Sequence, residues 1–443
     1  MDGSPKPPPL SARERLGLVA ATAIGLGLRL LWVLKIHPPS KSVFSDMGSY
    51  VERAKHLALG YYAPGDWIYP PGTPGPIALW MKLTPNHWET AAALMQALMA
   101  TAEIPLLFIA ARRWFGNRIA LAAAASYAVY YPAIDYVGLF SSENYLTFGL
   151  ILAVAFFDPE RPLRTAWSGV GLGLGAIAKP QAMLLAPLWF ALLLLRRKNR
   201  TAAALTVACT LMVMPLSYLC SKATGQVQFL STAGGVVMVQ AWCPVKDVDA
   251  HGPGWQMGFG LPTVAQRDYR GEVESTWGHA KYNVPFIDSR FYMHEGLGCI
   301  ARFPKHALRT LVLNFWDTFG GPPWSYQGPW PDASTDWRKP TLLCNLFVSW
   351  LVLPFTLLGI WRYRRLDGMH WVVSLPLLSC VLNCLIFHGE PRFRVPYDFT
   401  LLLGACAGIA SLMRKAAPIE VPLATPMPLP EAPPAPAATG TTP

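Results

Sequence analysis

The sequence predicts an all-α polytopic membrane protein. It should have about ten transmembrane helices, juxtamembrane helices on the outer face, and a mixed outer region between spans seven and eight. Three observations carry this. The 443-residue chain is 52% hydrophobic and only 14% charged, whereas soluble domains hold roughly 25% charged residues. Apolar runs of spanning length recur along it, and short basic clusters sit at alternate ends of those runs. The net charge of +11 is distributed over these clusters, which speaks against a nucleic-acid partner and for membrane topology. Mean hydropathy of +0.29 fits apolar spans diluted by a sizeable wet region and polar tails.

The elements follow in order. A polar, Pro-rich tail (1–15) precedes the run 16–36, which has the length of about 20 residues that a bilayer crossing needs. No removable signal peptide is expected, so this run reads as a retained first span. Further runs fall at 88–111, 119–137, 139–157, 165–179, 181–195, 201–220, 342–361, 370–387 and 396–413. The basic clusters are "RER" (13–15), "RRWFGNR" (112–118), "RPLR" (161–164), "RRKNR" (196–200), "RYRR" (362–365) and "RK" (414–415). Starting inside, they mark the inner end of every second span, which places both termini in the cytoplasm. The organisation is then a cytoplasmic tail (1–15), a membrane module (16–220) with a first outer loop (37–87), a large outer region (221–341) and C-terminal spans (342–415). A Pro-rich tail (416–443) has too little apolar content to fold.

In the first outer loop, Met47, Tyr50, Val51, Ala54, Leu57 and Ala58 recur at helical spacing, while Glu52, Lys55 and His56 face away. Gly60 ends the run as a C-cap would. A short amphipathic surface helix is expected here, with a second at 76–83. In the outer region, 292–319 reads as one or two helices broken near Pro304. Among eight cysteines, Cys380 and Cys384 lie one helical turn apart and read as core packing. Cys243 and Cys299 lie in the wet region and would pair only in an oxidising compartment.

Ionisable groups at a membrane boundary are costly and mark functional candidates. Asp46 directly follows the first span, and its local pattern fits a helix cap as well as a catalyst. Glu143, in "FSSENYL", also begins an apolar run, beside Ser141 and Ser142, and Asp135 is a weaker neighbour. In "FHGEPRFRVP", Glu390, Arg392 and Arg394 crowd an outer turn where topology asks for no arginine. Arg suits bidentate phosphate recognition, although an Arg392–Glu390 pair is an equally plain reading. Lys179, in "GLGAIAKPQAML", is a lone ammonium on an outer turn; it could snorkel to the interface or meet an anion. Tyr50, Glu390 and His388 are the candidates for positioning substrate. Carboxylates and cations thus gather on one face, where they could bind a lipid phosphate and deprotonate a neighbouring group.

The order "SYVERAKHLALG", "YPPGTPG", "GLGLGAIAKPQAMLLAPL", "GEPRFRVPYDFTLLLG" resembles the polytopic GT-C glycosyltransferases. It is most similar to the bacterial group of protein O-mannosyltransferases and lipid A aminoarabinose transferases. The likeness covers about 16–413, with its motifs in four short places. It implies inverting transfer of a sugar from a polyprenyl-phosphate donor to a lipid, glycan or protein acceptor. The setting it implies is the outer, periplasmic face of a bacterial inner membrane, in cell-envelope glycosylation. It also implies a catalytic base at Asp46 and a second acidic position at Glu143. One departure matters: where lipid A-type relatives often carry Lys before the paired prolines, this chain has Tyr69-Pro70-Pro71. Donor phosphate then falls to Lys179, Arg392 or Arg394, with Tyr69 as a hydrogen-bond donor.

A phosphate leaving group needs charge stabilisation and no general acid, so one carboxylate base suffices. Some superfamily members use a divalent metal, but His251, His279 and His294 lack ligand spacing, and no required metal or cofactor is expected. Two other classes compete. A transporter or flippase of a lipid-linked sugar would show repeated halves and midplane charges, and neither is evident. A structural scaffold explains the tail and not the outer charges.

Overall fold

The computed structural model describes residues 9–41, 43, 46–243, 289–320, 338–387 and 389–413. Among the described residues all regular structure is helical. Helix α1 (Ala12–Leu31) starts from a capping box: Ser11 Oγ accepts from the Glu14 amide while the Glu14 carboxylate accepts from the Ser11 amide. Helix α2 (Asp46–Ala58) is the expected amphipathic helix and ends before Gly60, whose φ of 91° needs glycine. It buries Met47, Tyr50, Val51 and Ala54 against Ile77 and Ala78 of α3 (Pro74–Leu83). Then follow α4 (Trp88–Ala128), α5 (Tyr131–Asp135), α6 (Ser142–Phe156), α7 (Pro162–Ala178), α8 (Leu185–Leu195), α9 (Asn199–Thr224) and α10 (Ala233–Trp242). Beyond them lie helices Ser289–Arg302 and Pro304–Phe319, divided at Pro304 as expected, and three more long helical segments up to Met413.

The expectation of many apolar spans is met in part. Among the described residues six helical segments are long and apolar enough to cross a membrane: Ala12–Lys41, Trp88–Ala128, Asn199–Thr224, Leu343–Arg362, Met369–Ile386 and Pro391–Met413. The run 88–111 and the first part of 119–137 join in one element, α4, turned at Gly116. Helix α6 has 15 residues and α8 has 11. At 1.5 Å per residue α6 reaches about 22 Å, short of a hydrocarbon layer of about 30 Å. Pro162 starts α7 and Pro180 follows its end, so proline punctuation cuts these runs below full length. In the region 221–341, expected to be mixed, the regular structure among the described residues is helical.

Small residues let the central helices close on one another. A Cβ at Gly149 of α6 would sit 2.5 Å from the Gly175 amide of α7, and one at Gly169 of α7 would sit 2.4 Å from the Leu205 carbonyl of α9. With little hydrophobic drive between helices in lipid, this close packing is what associates them. A disulfide joins Cys243, just past α10, to Cys299 of helix Ser289–Arg302, with Cα atoms 5.1 Å apart. Cys380 and Cys384 are free and fully buried.

Candidate functional site

Two backbone contacts bring distant loops to the start of α2. Gly72 donates its amide to the Ile177 carbonyl at 2.8 Å, and a Cβ there would meet that oxygen at 2.3 Å. This sets the Tyr69-Pro70-Pro71 loop against the end of α7, next to Lys179. Gly389 is pressed against helix Pro304–Phe319, where a Cβ would collide with the Asn314 carbonyl. That fixes the entrance to the short helix Pro391–Arg394.

The side chains then meet. Asp46, first residue of α2, accepts from the Tyr69 hydroxyl at Oδ1 (2.7 Å) and from Arg392 Nη1 at Oδ2 (3.1 Å). Arg392 Nε lies 2.8 Å from Oε2 of the buried Glu390. Lys179 Nζ donates to Glu143 Oε1 at 2.5 Å, and Ser142 Oγ donates to Glu143 Oε2 at 3.3 Å. Tyr50 donates to Ser142 Oγ at 3.1 Å and packs edge-on against the Tyr69 ring. Lys179 and Arg392 both stand over the Phe393 ring, at 4.3 and 5.0 Å from its centroid. Asp46, Tyr69, Arg392, Glu390, Lys179, Glu143 and Tyr50 are therefore one connected cluster.

Burial pushes the Asp46 carboxyl up, but Arg392, the Tyr69 hydrogen bond and Lys179 outweigh it and hold the pKa below the ordinary carboxylate value. Burial, then the Asp46 charge, raises the Tyr69 and Tyr50 hydroxyls well above their usual range, so both remain hydrogen-bond donors. The Asp46 carboxylate stands in the first turn of α2, and side chains take both its oxygens.

Arg394 is not in this cluster. Its side chain is 1% exposed and turned away, onto Asp398. Asp135 is buried at the end of α5. His388, expected to position substrate, lies outside the described residues, as do His251 and His279. Among the described residues no group of three or more His, Cys, Asp or Glu is placed to hold a metal ion. The carboxylates of the cluster face Arg392 and Lys179 instead, so its donor set does not suit a metal.

Some site residues escape sequence reasoning. Arg53, on which the sequence offers no reading, donates to the carbonyls of Ser49 and Asp66 at 3.0 Å and stands over the Tyr69 ring. His56 meets Asp66 at 2.9 Å, tying the Tyr69 loop to the same helix. No local signal links residues ten or more apart. Phe393 was legible only as an aromatic between two arginines.

Comparison with known proteins follows the same lines. Residues 69–219 match the family model described as dolichyl-phosphate-mannose-protein mannosyltransferase. No curated protein matches the chain in sequence. Among solved structures, the chain is similar to the archaeal oligosaccharyltransferase AglB from Archaeoglobus fulgidus in complex with an inhibitory peptide and a dolichol-phosphate. That likeness has 13% identity and a TM-score of 0.53, over 91% of this chain and 51% of that one. It is also similar to the Archaeoglobus fulgidus oligosaccharyltransferase tethered to an acceptor peptide, at 14% identity and a TM-score of 0.54, over 91% and 50%. ArnT from Cupriavidus metallidurans bound to undecaprenyl phosphate matches at 15% identity with a TM-score of 0.42, over 90% and 79%. The chain spans about half the length of the oligosaccharyltransferases. The likeness to the two oligosaccharyltransferase structures is one of fold.

Proposed function

We propose that this membrane protein with the GT-C fold transfers a sugar from a polyprenyl-phosphate donor to a lipid, glycan or protein acceptor, with inversion, and that Asp46 is the general base. The observation that carries the reading is the placement of Asp46 beside Arg392 in one cluster with Lys179 and Glu143. A base and two phosphate-seeking cations within one cluster are what this reaction needs and what a structural cap does not.

The acceptor hydroxyl attacks the anomeric carbon from the face opposite the phosphate. Its proton passes to Asp46 as the new glycosidic C–O bond forms. The bond from the anomeric carbon to the phosphate oxygen breaks, and the polyprenyl phosphate leaves with the electron pair. Arg392 and Lys179 stabilise the charge that develops on it, so no general acid is required. Glu143 orients Lys179, and Glu390 orients Arg392. Tyr69 holds Asp46 and can donate to phosphate, while Tyr50 packs against the Tyr69 ring and donates to Ser142. Arg394 serves the phosphate site from behind the turn. Phosphate-carrying polyprenyl lipid in the AglB complex supports this donor class. The disulfide Cys243–Cys299 supports an oxidising, outer-face location for the region between spans, in a multi-pass protein of a bacterial plasma membrane.

The experiment is comparative mass spectrometry of glycolipids and glycoproteins from cells with and without the gene. The expected result is loss of one sugar mass from a defined acceptor, together with accumulation of its polyprenyl-phosphate donor. Identical glycan profiles, with transmembrane movement of a lipid-linked sugar lost instead, would replace the transferase reading by a flippase.

A further inference from the structure

We propose that Arg394 is the positioning residue of the phosphate site: it fixes the turn from which Arg392 reaches Asp46. The inference rests on the donor-phosphate role given above to Arg392. Two arginines separated by a single phenylalanine occupy opposite environments. Arg392 is 25% exposed and Arg394 1%. Across residues 389–400 every residue is buried except Arg392.

All three nitrogens of the Arg394 guanidinium are engaged. Nε donates to Asp398 Oδ1 at 2.9 Å, Nη1 to the Thr318 carbonyl at 3.0 Å, and Nη2 to Asn345 Oδ1 at 2.7 Å. Asp398 is itself held by the Tyr130 hydroxyl at 2.5 Å from Oδ2. The partners come from four places: the end of helix Pro304–Phe319, helix Arg338–Phe347, helix Asp398–Met413 and the residue just before α5. A planar fork with directional bonds to separate segments fixes orientation, which a lysine point charge does not.

The geometry assigns a purpose to this network. The segment 389–394 is clamped at both ends, at Gly389 by the Asn314 carbonyl and at Arg394 by its four-segment network. Between the clamps only Arg392 is left to project, onto Asp46 and Glu390. A buried ion pair is weak evidence for stability, because desolvation offsets its Coulomb gain and apolar replacements often do as well. Fixing a neighbouring charge is a task that an apolar replacement does not perform. Displacing a reacting group by about 1 Å can cost 10²-fold in rate.

The test is a double-mutant cycle in membranes bearing the full chain, with a polyprenyl-phosphate sugar as the varied donor. Arg394→Lys and the milder Tyr130→Phe are each made in the wild-type and Arg392→Ala backgrounds. Protein level and elution in detergent are followed throughout. The expected result is an apparent donor KM raised about tenfold by Arg394→Lys and several-fold by Tyr130→Phe, with acceptor KM unchanged. In the Arg392→Ala background the same changes should cost less than about twofold, because their effect passes through Arg392. Equal losses in both backgrounds, or a shift in acceptor KM alone, overturn the positioning role while leaving the phosphate site standing. If Arg394→Lys fails to accumulate, Tyr130→Phe alone decides in the same way. Wild-type donor use by Arg392→Ala itself overturns both readings.

Discussion

Arg392 and Arg394 stand two residues apart in one four-residue helix, and they differ in nearly every physical respect. Arg392 faces the Asp46 cluster, shares its charge between Asp46 and Glu390, and keeps a quarter of its side chain exposed. Arg394 faces the core, is closed off from solvent, and bonds to three segments at once. A part-exposed cation with acidic neighbours can exchange them for an incoming phosphate. A fully engaged buried one cannot without unpacking the fold. The same residue type thus divides into a cluster-facing and a framework-facing position according to the direction a short helix imposes.

The comparison sharpens most with the loss of Arg392. Arg392→Ala should lower donor-dependent kcat/KM about 10²-fold, the range seen on removing one preorganised charge donor, with acceptor KM little changed. The readout is initial rates of sugar transfer in membranes. Lys179→Ala should give a smaller loss of about tenfold, because one of the two cations remains. Glu143→Gln frees Lys179 from its partner and should lower kcat less than Lys179→Ala does. A greater loss in Glu143→Gln would give Glu143 a direct part in catalysis.

The smallest effect is expected from Tyr69→Phe. The Tyr69 hydroxyl is one of the contacts that hold the Asp46 carboxyl below its ordinary range. Asp46 must be ionised to act as base, so activity persists as pH falls and is lost once the pH drops through that lowered value. Removing the hydroxyl raises the carboxyl pKa and should move the acid limb of kcat/KM to higher pH, with no more than a few-fold change at neutral pH. An acid limb at the same pH in both enzymes would detach Asp46 from the rate.

Much of this architecture is legible in the sequence where the signal is local. The α2 stripe, its Gly60 terminus and the break at Pro304 are patterns of residues within a few positions of each other, and each lies where the pattern puts it. Alternating charge led to the expectation that Asp46, Glu143, Lys179 and Arg392 share one face. Their contacts were not legible, because Asp46 and Arg392 are 346 positions apart. Hydropathy registers an apolar run, while proline and glycine decide whether it becomes one full-length helix, so the six long apolar segments among the described residues are fewer than the apolar runs. The two arginines were read alike because spacing says nothing of which way a turn points. The i,i+4 relation of Arg394 to Asp398 was the one local clue that they differ.

The central claim is that Asp46 removes the acceptor proton, and the most direct measurement is sugar transfer by Asp46→Asn in membranes with a polyprenyl-phosphate donor at saturation. The change keeps the shape of the side chain and removes the base. Turnover should fall by about 10²–10⁴-fold, the contribution of a positioned general base, with protein level unchanged. Near-wild-type turnover in Asp46→Asn would contradict the account and leave Asp46 as the cap of α2.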